Sequence, residues 1–288
     1  MINNISGSIP LSINVKGKLL SFDSPIVMGI LNVTTDSFYK KSRFTSFESL
    51  HDACEKMLAA GASIIDIGAA SSRPGAKLIE AVEETALLIP LLSSLVKAFP
   101  GANFSIDTYN AVTAKVAVES GAALINDISA GLLDAEMFNT IASLKVPYIM
   151  MHMQGIPSTM QIEPKYENVL KETMEFFVQR IDLARKAGIT DLILDPGFGF
   201  GKNLDHNYVL LKHLRLFELF QLPILCGVSR KSLINKVIHT HADSALNGTT
   251  VLNTIALLNG ASILRVHDVT EARQAVDLVN YYQKCSTE

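Results

Sequence analysis

Eight apolar runs in this chain each end in a polar or ionisable residue. In chain order the ends are Asn32, Asp66, Asp107, Asn126 with Asp127, His152, Asp195, Ser229 with Arg230 and Lys231, and Arg265 with His267. Carboxylates and amides accept paired N–H donors, so Asp107, Asn126 and Asp195 suit a flat heterocycle bearing an amidine or guanidine edge. Lys231 can donate to a ring carbonyl or nitrogen. Arg265, His267 and the Asn32 amide can hold a phosphorylated group. The set reads as a site for a polar planar ligand with a phosphate leaving group. It contains no obvious activated nucleophile: Ser229 and Ser232 lie in no serine-hydrolase motif, and Cys226 sits inside an apolar run.

One of these ends opens the stretch DPGFGFGKN, residues 195–203. It is neither a Walker A loop nor a dinucleotide fingerprint, because the glycine spacing is wrong for both. Its glycines are expected to let the loop fold close over a ligand, with a phenylalanine as an apolar wall beside Asp195.

The elements that must position these groups follow from two alternating patterns. Gly61, Gly121, Gly188 and Gly260 each follow a helical segment and precede a β-rich apolar run (59–68, 119–128, 186–197, 258–268), which suits the left-handed position after a helix end. Between them lie runs entered by proline: 24–32, 99–108, 146–153 and 222–229. Helical periodicity covers 46–60, 78–98, 110–120, 134–144, 166–187, 205–220, 244–259 and 269–283, with a short further helix at 231–238. Strands without in/out alternation, separated by helices, are parallel and buried on both faces. Eight such units predict a (β/α)8 barrel, an α/β TIM barrel, as a single domain over 1–288 with its core at about 24–283. An N-terminal β-hairpin over 12–22, turning at KGK, should plug or flank the barrel bottom. A doubly wound sheet is the rival fold, less consistent with eight regular units.

Composition narrows the function. Hydrophobic residues make up 48% and charged residues 18%, which excludes a disordered or fibrous chain. The formal charge is −3 with no basic run, so nucleic acid is not expected as a partner; SRKS is too short for a basic patch. Cys54, Cys226 and Cys285 are too few and scattered for a disulfide framework. With no signal-peptide pattern at MINNISGSIP and no apolar run of membrane-spanning length, a cytoplasmic protein is expected. His239 and His241 read as part of a solvated loop rather than a metal site, and the Leu-rich run 86–96 as a helix packed on the barrel or on a partner subunit.

The motifs NVTTDSF, IDIGAASSRPGA, SIDTYNAVTAKVAVESGAALINDISAG, MMHMQGIPSTMQ, ILDPGFGFGK, GVSRKS and RVHDV, running in order from Ile26 to Val276, together resemble the dihydropteroate synthase family. The resemblance implies an enzyme that joins 6-hydroxymethyl-7,8-dihydropterin pyrophosphate to p-aminobenzoate, releasing pyrophosphate. It implies a pterin pocket of Asp107, Asn126, Met151, Asp195, Lys231 and Arg265, with Asp107, Asp195, Lys231 and Arg265 also catalytic. Ser71, Ser72, Arg73, Phe200, Lys231 and Ser232 would frame p-aminobenzoate. Asn32 would coordinate Mg²⁺ with the diphosphate, whose oxygens Arg265 and His267 would hold. The implied chemistry is SN1-like and needs no strong base. Family members are commonly homodimers and sulfonamide targets. Loop one (33–45) and loop two (69–76), carrying Asp36, Ser72 and Arg73, are expected to close after the pterin binds.

Two stretches depart from the family pattern: Thr35 and Tyr39–Lys41 in loop one, and Ala69, Ala70 and Ser72 in loop two. Two other functions share parts of this pattern. A corrinoid-linked pterin methyltransferase domain should lack the SRPGA loop, and a non-catalytic pterin-binding paralogue should have lost Asn32 or Arg73.

Overall fold

In the computed structural model, residues 11–33, 43–69, 78–155, 160 and 164–285 are described. A hairpin comes first, β1 (Ser12–Val15) and β2 (Lys18–Ser21), antiparallel and turning at Lys16 and Gly17. The barrel strands are β3 (Ile26–Asn32), β4 (Ile64–Gly68), β5 (Phe104–Asp107), β6 (Leu124–Asp127), β7 (Tyr148–Met151), β8 (Leu192–Asp195), β9 (Leu225–Cys226) and β10 (Ile263–Val266). They form one parallel eight-stranded sheet in the order β8-β7-β6-β5-β4-β3-β10-β9. A parallel bridge between Leu194 and Ile224 joins the two ends and closes the barrel. The closure excludes the open doubly wound sheet.

The helices are α1 (Arg43–Ala59), α2 (Ala81–Ala98), α3 (Ala111–Glu119), α4 (Met137–Leu144), α5 (Val169–Ala187), α6 (Leu204–Lys212), α7 (Ser232–Ile238), α8 (Leu246–Leu258) and α9 (Val269–Lys284). Gly61, Gly121, Gly188 and Gly260 all have positive φ after helices, as the alternating pattern requires. The helix expected over 205–220 differs: α6 stops at Lys212 and Leu214–Phe220 is a 3₁₀ segment. Leu214 and Phe217 are buried and Phe220 half-buried, a spacing of three that matches the three residues per 3₁₀ turn. In α2, Leu88, Leu91, Leu92 and Leu95 are buried in the barrel–helix core, so the Leu-rich run packs inward. No helix among the described residues is long and apolar enough to cross a membrane.

Strand parity converts this fold into a site. Ile64, Leu124, Ile149, Ile193, Leu225 and Ile263 share one core cluster inside the barrel with Ile13 and Val15 of the hairpin, which therefore plugs the bottom. Side chains alternate across a strand, so the residue two positions further on points inward one layer higher. Those positions are Asp66, Asn126, Met151, Asp195, Gly227 and Arg265. The intervening residues, among them Ile65, Ile125, Met150, Leu194 and Leu264, face the helices and join the larger outer core.

Candidate active site

The upper layer opens into a cleft lined by Asp107, Asn126, Ile128, Met151, Asp195, Phe200, Gly227, Lys231 and Arg265. All six residues assigned to the pterin stand on this one wall. Asn32, Ser232 and His267 do not line it; each is exposed, at the end of β3, the start of α7 and the residue after β10 respectively. Ser71, Ser72, Arg73, Asp36, Thr35, Tyr39–Lys41 and Ala70 lie outside the described residues.

Arg265 is the electrostatic centre of the cleft. Its Nε donates to Asp66 Oδ2 at 2.7 Å, and its Nη2 lies 2.6 Å from the same oxygen and 2.9 Å from Asp107 Oδ2. Asp66 is fully buried and also accepts from Asn126 Nδ2 at 3.0 Å. One carboxylate thus fixes the planes of two cleft residues on strands it does not belong to. The sequence marks Asp66 only as a strand end; its organising role depends on β4, β6 and β10 all turning these positions into the barrel, where Asp66 meets Asn126 and Arg265. Burial raises the Asp107 carboxyl above the usual carboxylate range, with Arg265 opposing and Asp66 reinforcing it.

Asp195 faces the cleft with Oδ1 accepting the Gly197 amide at 2.7 Å. Burial raises its carboxyl, and Lys231 is the strongest opposing charge. Lys231 lies opposite: its Nζ donates to Phe198 O at 2.7 Å and stands 4.8 Å from the Phe200 ring centroid. Burial pulls its ammonium down to about 8, with Asp195 opposing.

The GFGFG loop packs closely on the segment after β7. Gly197 has φ +73°, and a Cβ there would stand 1.9 Å from His152 O; Gly201 has φ +61° and would place a Cβ 2.3 Å from Gln154 O. The glycines serve left-handed backbone and contact with the segment after β7. The two phenylalanines part company: Phe198 is fully buried in the outer core, and Phe200 lines the cleft. Asn203 then caps α6, its Oδ1 accepting from His206 N at 2.8 Å.

Two strand ends turn away from the cleft. Asp127, one residue beyond Asn126, accepts from Ser129 N, Gly131 N and Tyr148 Oη at 2.5–2.7 Å and holds the loop after β6. His152 is buried against Phe176, ring centroids 4.8 Å apart, with Nδ1 unpartnered. Burial, assisted by the charge of Lys202, lowers its ring from 6.5 to about 2. Between those values the unfolded chain holds a proton that the folded one lacks, so this ring's contribution to stability falls as pH falls. His152→Leu should remove a slope of about 1.4 kcal/mol per pH unit. Urea unfolding at pH 7 and pH 5 should show the variant gaining about 2 kcal/mol on wild type at the lower pH. Parallel pH dependence of the two proteins would contradict this.

His267 is held differently. Its backbone N–H donates to Ser229 Oγ at 3.2 Å, and its Nδ1 lies 3.0 Å from the same oxygen. Although the residue's surface is exposed, desolvation of its ring nitrogens and the Arg265 charge lower the ring to about 4, so it is neutral near pH 7. Arg230 faces away from the cleft, its guanidinium paired with Asp268 at 2.7 and 2.8 Å. His239 and His241 are exposed, and no group of three or more His, Cys, Asp or Glu among the described residues could hold a metal ion.

Residues 28–267 match the pterin binding enzyme family. The chain is 41% identical over 266 residues to the dihydropteroate synthase of Escherichia coli K12, covering 92% of this chain and 94% of that one. It superposes on the crystal structure of Yersinia pestis dihydropteroate synthase with a sulfonamide drug complex at a TM-score of 0.90 and 38% identity, covering 96% of this chain and 100% of that one. For Xanthomonas albilineans dihydropteroate synthase with 4-aminobenzoic acid the TM-score is 0.89 at 34% identity, over 96% and 100% of the two chains. The family match, the shared barrel and this degree of identity along nearly the whole length have one explanation: the chain belongs to the dihydropteroate synthase family of pterin binding enzymes.

Proposed function

We propose that this chain, as a single domain, condenses 6-hydroxymethyl-7,8-dihydropterin pyrophosphate with p-aminobenzoate to give 7,8-dihydropteroate and pyrophosphate. The observation that carries the reading is the convergence of Asp107, Asn126, Met151, Asp195, Lys231 and Arg265 on one cleft. Asp195 accepts the N–H donors of the aminopyrimidine edge and Lys231 donates to the ring. Arg265, locked between Asp66 and Asp107, presents a guanidinium face on which the pterin stacks.

The methylene C–O bond breaks first, the electron pair leaving with pyrophosphate. The resulting cation is delocalised into the pterin, where Asp107 and Asp195 stabilise it. The aromatic amine then forms the C–N bond and releases its proton to solvent. His267 and Arg265 hold diphosphate oxygens. Phe200, Lys231 and Ser232, with Ser71, Ser72 and Arg73, frame the p-aminobenzoate.

Asn32 offers one hard amide oxygen, exposed at the end of β3. That fits Mg²⁺, which keeps several waters and is bound through one or two protein oxygens plus substrate phosphates. When bound, the metal would neutralise charge on the departing diphosphate. Purified protein given Mg²⁺ and both substrates should release pyrophosphate in step with dihydropteroate, and EDTA should abolish the release. A pterin-binding protein that releases none would be a non-catalytic paralogue.

The buried free thiols of Cys54 and Cys226 support a reducing compartment, the cytoplasm, for this reaction. A homodimer would cover the apolar face of α8 and α9, where Val251, Ile255, Leu278, Tyr281 and Tyr282 are exposed. Tyr281→Glu with Leu278→Glu should shift the sedimentation coefficient from dimer to monomer.

A further inference from the structure

Lys202 is a buried lysine with no part in the reaction described above. It is 3% exposed, and its ammonium donates to Gly197 O at 3.0 Å, Phe200 O at 3.0 Å and His152 O at 3.1 Å. A lysine ammonium has three donors, and backbone oxygens take all of them. Gly197 and Phe200 are the two ends of a turn closed by Phe200 N–H to Gly197 O at 3.1 Å. The first end carries the amide that Asp195 accepts, and the second carries the ring that lines the cleft. His152 belongs to the segment after β7, so one side chain ties the turn to the neighbouring strand. The remaining loop groups are held separately: Gly199 N by Asn207 Oδ1 at 2.7 Å and Gly201 O by Tyr166 Oη at 2.9 Å.

We propose that Lys202 is a positioning residue for the pterin reaction: its ammonium fixes the 197–200 turn against the segment after β7, aiming the Asp195 carboxylate and the Phe200 ring into the cleft. The inference rests on the reading of this cleft as the pterin site. A methionine would fill the same volume but leave three carbonyls without their partner and remove a charge from beneath Asp195. Around Asp195 stand Lys231 before α7, Arg265 on β10, Cys226 on β9 and Lys202 itself. Around Lys202 stand Asp195, Lys231, His152 and His206. Burial raises Asp195, and the cations on both sides oppose that rise, so removal of any one of them raises it further.

The test is calorimetric titration of a non-reactive pterin into wild type and Lys202→Met between pH 5 and pH 8. Pterin affinity at pH 7 should fall roughly tenfold as the turn is released. The acid midpoint of binding should also move up, by about half to one pH unit, as Asp195 loses a neighbouring cation. Loss of packing alone would lower affinity equally at every pH, and that result overturns the proposal. Asn207→Ala removes the acceptor of the Gly199 amide and the bonds to Lys202 O and Asn203 O without changing charge, and should weaken binding while leaving the midpoint in place. If Lys202→Met does not fold, the wild-type ¹⁵Nζ resonance of Lys202 decides: it should be hydrogen-bonded at pH 6 and shift when pterin binds, and an unresponsive signal overturns the assignment. Wild type that binds no pterin would overturn both this inference and the reading of the cleft, and the wild-type titration alone identifies that case.

Discussion

Replacing Asp66 with alanine should cost about 3 kcal/mol of stability and about 100-fold in kcat/KM for the pterin pyrophosphate. The carboxylate is fully buried, and its Oδ2 serves the Arg265 guanidinium at 2.6–2.7 Å and the Asn126 amide at 3.0 Å. Removing one partner of a buried pair leaves the other charge desolvated and uncompensated, which is why the loss exceeds the worth of a hydrogen bond. Arg265 keeps Asp107 and is partly exposed, so the stability loss belongs at the low end of the buried-pair range. The kinetic loss has a separate origin, since Arg265 and Asn126 would both be free to rotate away from the ligand plane. Urea unfolding and steady-state kinetics measure the two effects separately. Wild-type kcat/KM in the alanine variant would show that Asp107 alone suffices to orient Arg265.

Gly197→Ala should be the most damaging single methyl group added to this chain, destabilising it by about 3–5 kcal/mol and weakening pterin binding in parallel. Two penalties coincide at this position: φ is +73°, and the new Cβ would stand 1.9 Å from the His152 carbonyl oxygen. Backbone must move to relieve that overlap, and the backbone in question carries the amide held by Asp195. Gly188→Ala is the control. It has φ +98° with nothing within 4 Å of the added Cβ, so only the conformational cost of about 1–2 kcal/mol applies. Equal losses at the two sites in urea unfolding would show that the loop absorbs the clash by shifting at little cost.

Most of the fold was legible because its signals are local. A glycine after a helix, a proline before a strand and an uninterrupted apolar run each report on a few neighbouring residues, and each repeats four or eight times. The cleft followed from one further rule, that barrel sites lie at strand C-terminal ends. What stayed hidden depends on parity and on partners far away in sequence. Asn126 and Asp127 are adjacent in one motif, yet the strand turns one into the cleft and the other toward the helices. Asp66 and Arg265 are 199 residues apart, and nothing near either one announces the pairing. Lys202 follows a glycine-rich stretch that fits no phosphate-binding motif, and nothing local shows that its three acceptors are carbonyls brought together by left-handed glycines and the segment after β7. His152 stands at a strand end like the cleft residues, but its ring is buried against Phe176.

The plug at the barrel base has a consequence for the order in which the molecule assembles on the ribosome. Ile13 and Val15 are made well before much of the cluster that receives them, which includes Ile193, Leu225 and Ile263. Lys16 Nζ and Asn14 N likewise await Gly121 O and Asp191 Oδ1, at 2.8 and 3.0 Å in the finished fold. At roughly 5–20 residues per second, the intervening chain takes on the order of 10–50 s to be made. For that interval the nascent hairpin holds an apolar face with no barrel to enter. Its docking is therefore a late, whole-chain event, and a stalled chain lacking β10 would present that face to chaperones.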